Sequence, residues 1–297
     1  MEMNILAQQS LWSGLTIGSI YALIALGFTV IFNVSKILNI AQGEFVMVGA
    51  LSFYSFVTTL HSPFWIAILV TLLIAAFVGW LMVTVAIHPL KNPAILTLII
   101  VTIAFGEILK GVALLIWGND TFSIPPMVRG KAVQIFSAYV QPQVFVIIGV
   151  SLAIYFGFTW MNRKTNFGRS LTATAGDPYA ATLVGINVKR LTLVVFMIGS
   201  GMGAIAGILA GPITTMSYYQ GTMLGIKAFI AALLGGLGSY GGAMIGGLAL
   251  GLLESFGAGF ISSTFKDVFA FAVLLIVLLV SPNGILGIKG IFANKKK

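Results

Sequence analysis

An all-α polytopic membrane protein is what the sequence predicts, and two observations carry that expectation. Of 297 residues, 59% are hydrophobic and only 8% charged, against about 45–50% and about 25% in a soluble domain. The apolar residues also run in charge-poor blocks close to the roughly 20 residues an α-helix needs to cross about 30 Å of hydrocarbon. The first observation excludes a soluble globular enzyme. A mean hydropathy of +1.06 and 35 glycines without a triplet period exclude disordered and fibrous chains. Cysteine is absent and His61 and His88 are the only histidines, so disulfide frameworks, thiolate chemistry and Cys/His metal sites lack their raw material. The net charge of +9 is scattered between apolar blocks. It forms no basic stripe with interleaved aromatics, so no nucleic-acid partner is expected and the lipid bilayer is the solvent.

Residues 11–32, 65–87, 94–117, 143–161, 191–211 and 266–281 read as ordinary spans. Two further blocks are interrupted. Residues 37–58 carry Gln42, Gly43 and Glu44 in an apolar run, and residues 226–257 are broken by the glycine-rich stretch from Gly235 to Gly242. A helix over 226–237 rises only about 18 Å, so that piece is expected to be a half-helix or short span. The total is eight to ten transmembrane helices or half-helices in one domain, residues 1–297. The N-terminus has neither a basic flank nor a small-residue cleavage pattern, so the first span is expected to stay in the mature chain.

Lysine and arginine in short loops set the orientation. The segment 162–190 carries Arg163, Lys164, Arg169, Lys189 and Arg190, and the tail carries Lys289 and Lys295 to Lys297. With both inside, Lys36 and Lys91 also fall inside, while Arg129, Lys131 and Lys266 fall outside. The N-terminus and residues 118–142 are therefore expected outside. Residues 14–27 resemble 199–211, and under this topology the two run in opposite directions. They read either as an inverted repeat, whose interface carries the substrate path in many transporters, or as two independent glycine-rich spans.

Residues 162–190 form a cytoplasmic loop with a deliberate local design. Asp177 can cap a first helical turn, Pro178 fits the position where its missing N–H costs nothing, and Gly185 can supply a left-handed stop. The result is two turns of helix bearing Tyr179, Leu183 and Val184. Such a helix reads either as a knob for another protein or as a surface helix lying on the headgroups.

Glu44, Glu107 and Glu254 lie within apolar blocks. A charge at the helix centre costs about 2.5–3.5 kcal/mol on insertion scales, so each must face a cavity, pair or reach an interface. Glu107 and Lys110 can pair at i, i+3, and Glu254, near a span end, can pair or reach the interface. Gln42 and Glu44 read either as a pathway or gate, or as a polar clamp. Gly199, Gly203, Gly207 and Gly211 mark one close-packed helix stripe. Gly235, Gly236 and Gly238 read equally as a hinge or cavity lining and as a tight turn. No Gly-x4-Gly-Lys-Ser/Thr occurs, so the chain carries no P-loop.

Four motifs in order now carry a resemblance. They are Leu-Asn-Ile-Ala-Gln-Gly-Glu at 38–44, the Ala-x-Gly-Asp-x-x-Ala-Ala-x-x-x-Gly-Ile loop, the Gly-Gly-Leu-Gly-Ser-Tyr-Gly-Gly block and Ser281-Pro282-Asn283-Gly284. Together they resemble the branched-chain amino-acid permeases of ABC importers, in their shorter LivH type, over essentially the whole chain. The resemblance implies a permease subunit in a bacterial inner membrane, without enzymatic activity or a cofactor of its own. It implies as partners a second related permease, two cytoplasmic ATPases that bind the ATP, and a periplasmic amino-acid-binding protein. Gly176, Asp177, Pro178, Tyr179, Ala180, Ala181 and Gly185 then match the helix that receives the ATPase's motion. Gln42, Gly43, Glu44, Gly235, Gly236 and Gly238 are the candidates for the translocation pathway. Two alternatives stand beside this reading: an ion-coupled secondary transporter with Glu44 or Glu107 carrying a proton, and an ABC permease for urea or short amides.

Overall fold

The structure, a computed structural model, describes residues 2–90, 93–128, 130–135 and 137–280. Among these residues the helices run in the order α1 (Glu2–Ser35), α2 (Gln42–Tyr54), α3 (Phe64–Leu81), α4 (Ile95–Trp117), α5 (Pro142–Lys164), α6 (Asn166–Gly176), α7 (Pro178–Leu183), α8 (Val188–Ala210), α9 (Gln220–Gly235), α10 (Tyr240–Phe260) and α11 (Lys266–Val280). A single antiparallel hairpin, β1 (Val133–Ile135) with β2 (Ala138–Val140), lies between α4 and α5, with Gln134 opposite Tyr139. π-Helical turns extend α2 over Ser55–Thr59 and α3 over Met82–Ile87.

Among the described residues six helices are long and apolar enough to cross a bilayer: Met3–Ser35, Phe64–Ile87, Ile95–Trp117, Pro142–Lys164, Val188–Ala210 and Tyr240–Phe260. The chain is therefore an all-α polytopic membrane protein. The spans expected at 65–87, 94–117, 143–161 and 191–211 fall on α3 to α5 and α8 with small shifts. The first is longer than expected, because α1 starts at Glu2 and ends at Ser35. The span expected at 266–281 corresponds to α11, described to Val280. Lys91, Arg129, Lys289, Lys295 to Lys297 and the Ser281–Gly284 motif lie outside the described residues.

Two boundaries differ from expectation. The polar triplet Gln42-Gly43-Glu44 does not interrupt a helix. The chain leaves α1 at Ser35 and is non-helical until it re-enters at Gln42, so the triplet forms the first turn of α2. The second difference is at α9, which begins at Gln220 rather than 226 and so rises about 24 Å. Its first turn, Gln220-Gly221-Thr222, is polar and small. It looks like loop in sequence and is helical because α2 packs against it.

The chain divides into two compact units. One comprises Val30–Pro125 and Phe156–Ile226. Its centre is α2, buried from Gln42 to Phe53 and packed on α8 and α3. The α8 glycine stripe makes this possible. A Cβ on Gly207 would collide with the Val46 carbonyl, and one on Gly203 would lie 2.9 Å from the Phe45 Cβ. Gly49 of α2 and Gly79 of α3 present the same kind of notch to α8, at Ala204 and at Ser200. Small residues let the backbones approach so that dispersion, rather than the hydrophobic effect, holds helices together in lipid. Gly211, the last of the stripe, abuts Ile124 instead.

The other unit comprises Met1–Thr29, Pro126–Tyr155 and Lys227–Lys297. Here α1 uses Gly14 and Gly18 against the Leu252 and Leu248 backbone of α10, while Gly247 and Gly251 of α10 face Ala22 and Gly18. The two similar segments, 14–27 and 199–211, thus each supply a glycine face to a neighbouring backbone within their own unit.

Candidate functional site

The start of α2 is held without a side-chain N-cap. Backbone bonds close the turn, with Gln42 N–H donating to Asn39 O at 3.1 Å and Glu44 N–H to Ala41 O at 3.0 Å. Thr102 of α4 accepts the Ile40 N–H at 3.2 Å. Gln42 donates from Nε2 to Gly199 O at 2.8 Å, and the Glu44 carboxylate accepts the Thr222 hydroxyl of α9 at 2.6 Å. Glu44 is only 3% exposed. Four glycines bring the helices together here. A Cβ on Gly43 would collide with the Gly221 carbonyl and lie 2.9 Å from the Gly225 Cα, and Gly106 of α4 leaves its side open to Ala41 and Glu44.

This turn is polar beyond its own needs. Asn39 Oδ1 and Nδ2, Gln42 Oε1 and Glu44 Oε2 are buried and have no hydrogen-bond partner. Leaving such a group unpaired costs about 1–3 kcal/mol.

Gly235 to Gly242 forms a tight turn between α9 and α10. Gly236 and Gly238 are left-handed, at φ 92° and 100°, and Ser239 caps α10 by accepting the Gly242 N–H at 3.0 Å. Gly235 and Gly242 touch backbone to backbone, so neither tolerates a side chain.

The segment 162–190 has the local design that its residues specify. Thr165 caps α6, and Asp177 Oδ1 accepts from Tyr179 N–H at 2.8 Å and Ala180 N–H at 3.1 Å to cap α7, with Pro178 at its first position. At the other end Gly185, φ 88°, donates to Thr182 O, and Ile186 N–H donates to Ala181 O. That pair of bonds is the Schellman stop. Ala181 is buried, whereas Tyr179, Leu183 and Val184 are 73%, 72% and 75% exposed. Lys36, left-handed at φ 55° just beyond α1, donates to the Ala175 carbonyl of α6 at 2.8 Å.

Two further groups of charges within the helices are paired. Glu107 meets Lys110 at 2.5 Å. Lys227 lies 2.5 Å from Glu254 and 2.6 Å from Asp267, and Tyr21 donates its hydroxyl to Glu254 at 2.8 Å. His61 and His88 are exposed. Among the described residues no group of three His, Asp or Glu side chains is placed to hold a metal.

Sequence reasoning singled out Gln42, Gly43 and Glu44, but not Asn39, Thr102, Gly221, Thr222 or Gly225. The i, i+4 glycines in Gly221-Thr-Met-Leu-Gly225 were the available signal for a close crossing. Lys227 also went unassigned, although a lysine seven residues into an apolar helix demands a carboxylate partner.

Residues 10–278 match the family model described as branched-chain amino acid transport system, permease component. The chain is 36% identical to the high-affinity branched-chain amino acid transport system permease protein LivH of Escherichia coli K12, covering 94% of this chain and 95% of that one. It is also 36% identical to BraD, the corresponding permease protein of Pseudomonas aeruginosa, with the same coverage. More distantly, the ribose import permease protein RbsC of Haemophilus influenzae is 24% identical over 89% of this chain. Among solved structures, PsaBC from Streptococcus pneumoniae in complex with Fab shares the fold at a TM-score of 0.51 and 17% identity, over 93% of this chain and 92% of that one.

Proposed function

The chain belongs to the family of branched-chain amino-acid transport permease components, and from that premise we propose that it passes branched-chain amino acids inward across a bacterial inner membrane, driven by ATP hydrolysis on partner subunits. As a permease subunit of the ABC class it is not an enzyme. The partners are a second related permease, two cytoplasmic ATPases that bind the ATP, and a periplasmic amino-acid-binding protein. Bias comes from the different affinities of the ATP-bound and post-hydrolysis states for two conformations of the permease.

The observation that carries this reading is α7. Six residues with a carboxylate cap, a proline start and a Schellman stop, followed at once by Val184, make a rigid piece with three large exposed apolar side chains. That costs solubility unless another protein covers it. Residues Gly176 to Ala181 and Gly185 are the receiver of the ATPase's motion, and Lys36 carries it toward the turn before α2 through the Ala175 carbonyl. Gln42, Gly43 and Glu44 serve as a polar gate, while Gly235, Gly236 and Gly238 supply the turn that lets α9 and α10 adjust. An amino-acid zwitterion needs acceptors for its ammonium and donors for its carboxylate, and the unpaired groups of Asn39, Gln42 and Glu44 offer both.

The chain has no native cysteine, so a photoreactive cross-linker on Ala180→Cys reports its neighbour directly. In the assembled, transporting complex it is expected to capture an ATPase subunit. An active complex with no such contact overturns the assignment.

A further inference from the structure

The first turns of α6, the turn that follows α7 and the first two turns of α8 line a groove of about 340 Å³. Its lining has two characters. The Ser170 hydroxyl and the exposed Arg190 make it polar, whereas Phe167, Ile186, Leu191 and Val194 make it apolar. Val194 lies one turn, about 6 Å, further along α8 than Arg190, and α8 is one of the helices long and apolar enough to cross the bilayer. The groove therefore reaches from the water boundary toward the hydrocarbon. Val194 is 37% exposed there, on a helix that is otherwise largely buried. The surroundings are basic. Residues 162–190 carry Arg163, Lys164, Arg169, Lys189 and Arg190 against a single carboxylate, Asp177, which already accepts the Tyr179 and Ala180 N–H groups. Asn187 fixes the backbone of Arg190 by accepting its N–H at 3.0 Å. Among the described residues no carboxylate makes an ion pair with the Arg190 guanidinium.

We propose that this groove binds an anionic phospholipid, with the phosphate on Arg190 and the start of an acyl chain along Leu191 and Val194. Three features of the groove select that occupant. A guanidinium is a planar fork of donors that matches two phosphate oxygens, and basic grooves between membrane helices hold anionic headgroups. The excess of cations, with Lys189 beside Arg190 and Arg169 beside Ser170, repels the ammonium of a zwitterionic lipid and welcomes a headgroup without one. The apolar half would stay uncovered under a water-soluble anion, and a protein subunit would have to reach a full turn into the span to cover it. Gly185 and Ile186, whose backbone bonds close α7, line the same groove, so the bound lipid braces the base of α7. Binding here does not depend on which solute the permease carries.

The test places a bimane label on Val194→Cys, with Leu69→Cys, exposed on α3, as a control facing the lipid away from the groove. The labelled chain is assembled with its partner subunits in phosphatidylcholine nanodiscs and titrated with phosphatidylglycerol or phosphatidylcholine carrying a doxyl group high on the acyl chain. At Val194→Cys, phosphatidylglycerol is expected to quench with an apparent affinity about fivefold above that of phosphatidylcholine, the worth of one basic residue at a membrane surface. Arg190→Gln is expected to bring that ratio to one. Arg163→Gln, which removes a charge of the same loop outside the groove, is expected to keep it, and Leu69→Cys is expected to show no preference. Equal quenching by the two lipids at Val194→Cys overturns the proposal. So does an equal loss in Arg163→Gln and Arg190→Gln, which would describe a diffuse basic surface. Displacement of the lipid by inorganic phosphate at constant ionic strength would make the groove a free-anion site, and a label shielded from both lipids in the assembled complex would assign the groove to a protein subunit; either result also overturns it.

Discussion

Glu44 keeps one carboxylate oxygen on Thr222 and the other without a partner. Glutamine at this position retains an acceptor for the Thr222 hydroxyl, so Glu44→Gln is expected to leave assembly and much of the transport intact. Leucine removes the polar surface altogether, and Glu44→Leu is expected to cut transport severely at unchanged abundance. Uptake normalised to recovered complex measures both, and a normal rate in Glu44→Leu would assign Glu44 to packing. Lys227 has a different job, because it neutralises the buried Glu254 and also meets the partly exposed Asp267. Lys227→Met strands the buried Glu254 carboxylate, and breaking a buried pair costs about 3–5 kcal/mol. A marked fall in the thermal midpoint of the detergent-solubilised chain is expected, and an unchanged midpoint would contradict the ion-pair account. Glu44 was legible in the sequence as a carboxylate in an apolar run. Thr222 was not, because a threonine near a glycine looks like loop until the fold brings α9 against α2.

Among the elements, α7 is the one whose whole design can be read from its letters. Cap, proline and left-handed glycine act within ten residues, so no tertiary information is needed. Asp177→Ala gives up a cap worth about 0.5–2 kcal/mol, and Gly185→Val forces a branched side chain into the left-handed region. Both variants are expected to insert normally and to separate ATP hydrolysis from solute movement in the reconstituted complex. Tight coupling retained in both would show that α7 transmits nothing. The start of α9 and the entry to α2 were harder to place. Periodicity assigns a residue by its apolar neighbours, whereas Gln220 and Gln42 are helical because partner helices approach through Gly43, Gly221 and Gly225. The hairpin β1–β2 left no alternating apolar signal at all, since strands of three residues are too short to show one.

At the scale of the whole chain, composition and block length were enough to specify a helical membrane protein, and the lysine and arginine bias gives a testable orientation. Ser123 and Thr172 are both exposed, so Ser123→Cys and Thr172→Cys should react with an impermeant maleimide from outside and inside respectively. Equal labelling from outside would refute that orientation. Thr174, in the same loop, is buried at 0% exposure and makes a poor reporter. What composition cannot encode is which helix faces share glycine notches, because that depends on matching positions on two distant segments. The most direct test of ATP-driven import is uptake of labelled leucine into proteoliposomes holding the chain with its partner permease, ATPases and binding protein. Accumulation is expected only when ATP reaches the ATPases and binding protein is present on the opposite face. Accumulation without ATP that follows an imposed proton gradient would contradict the account.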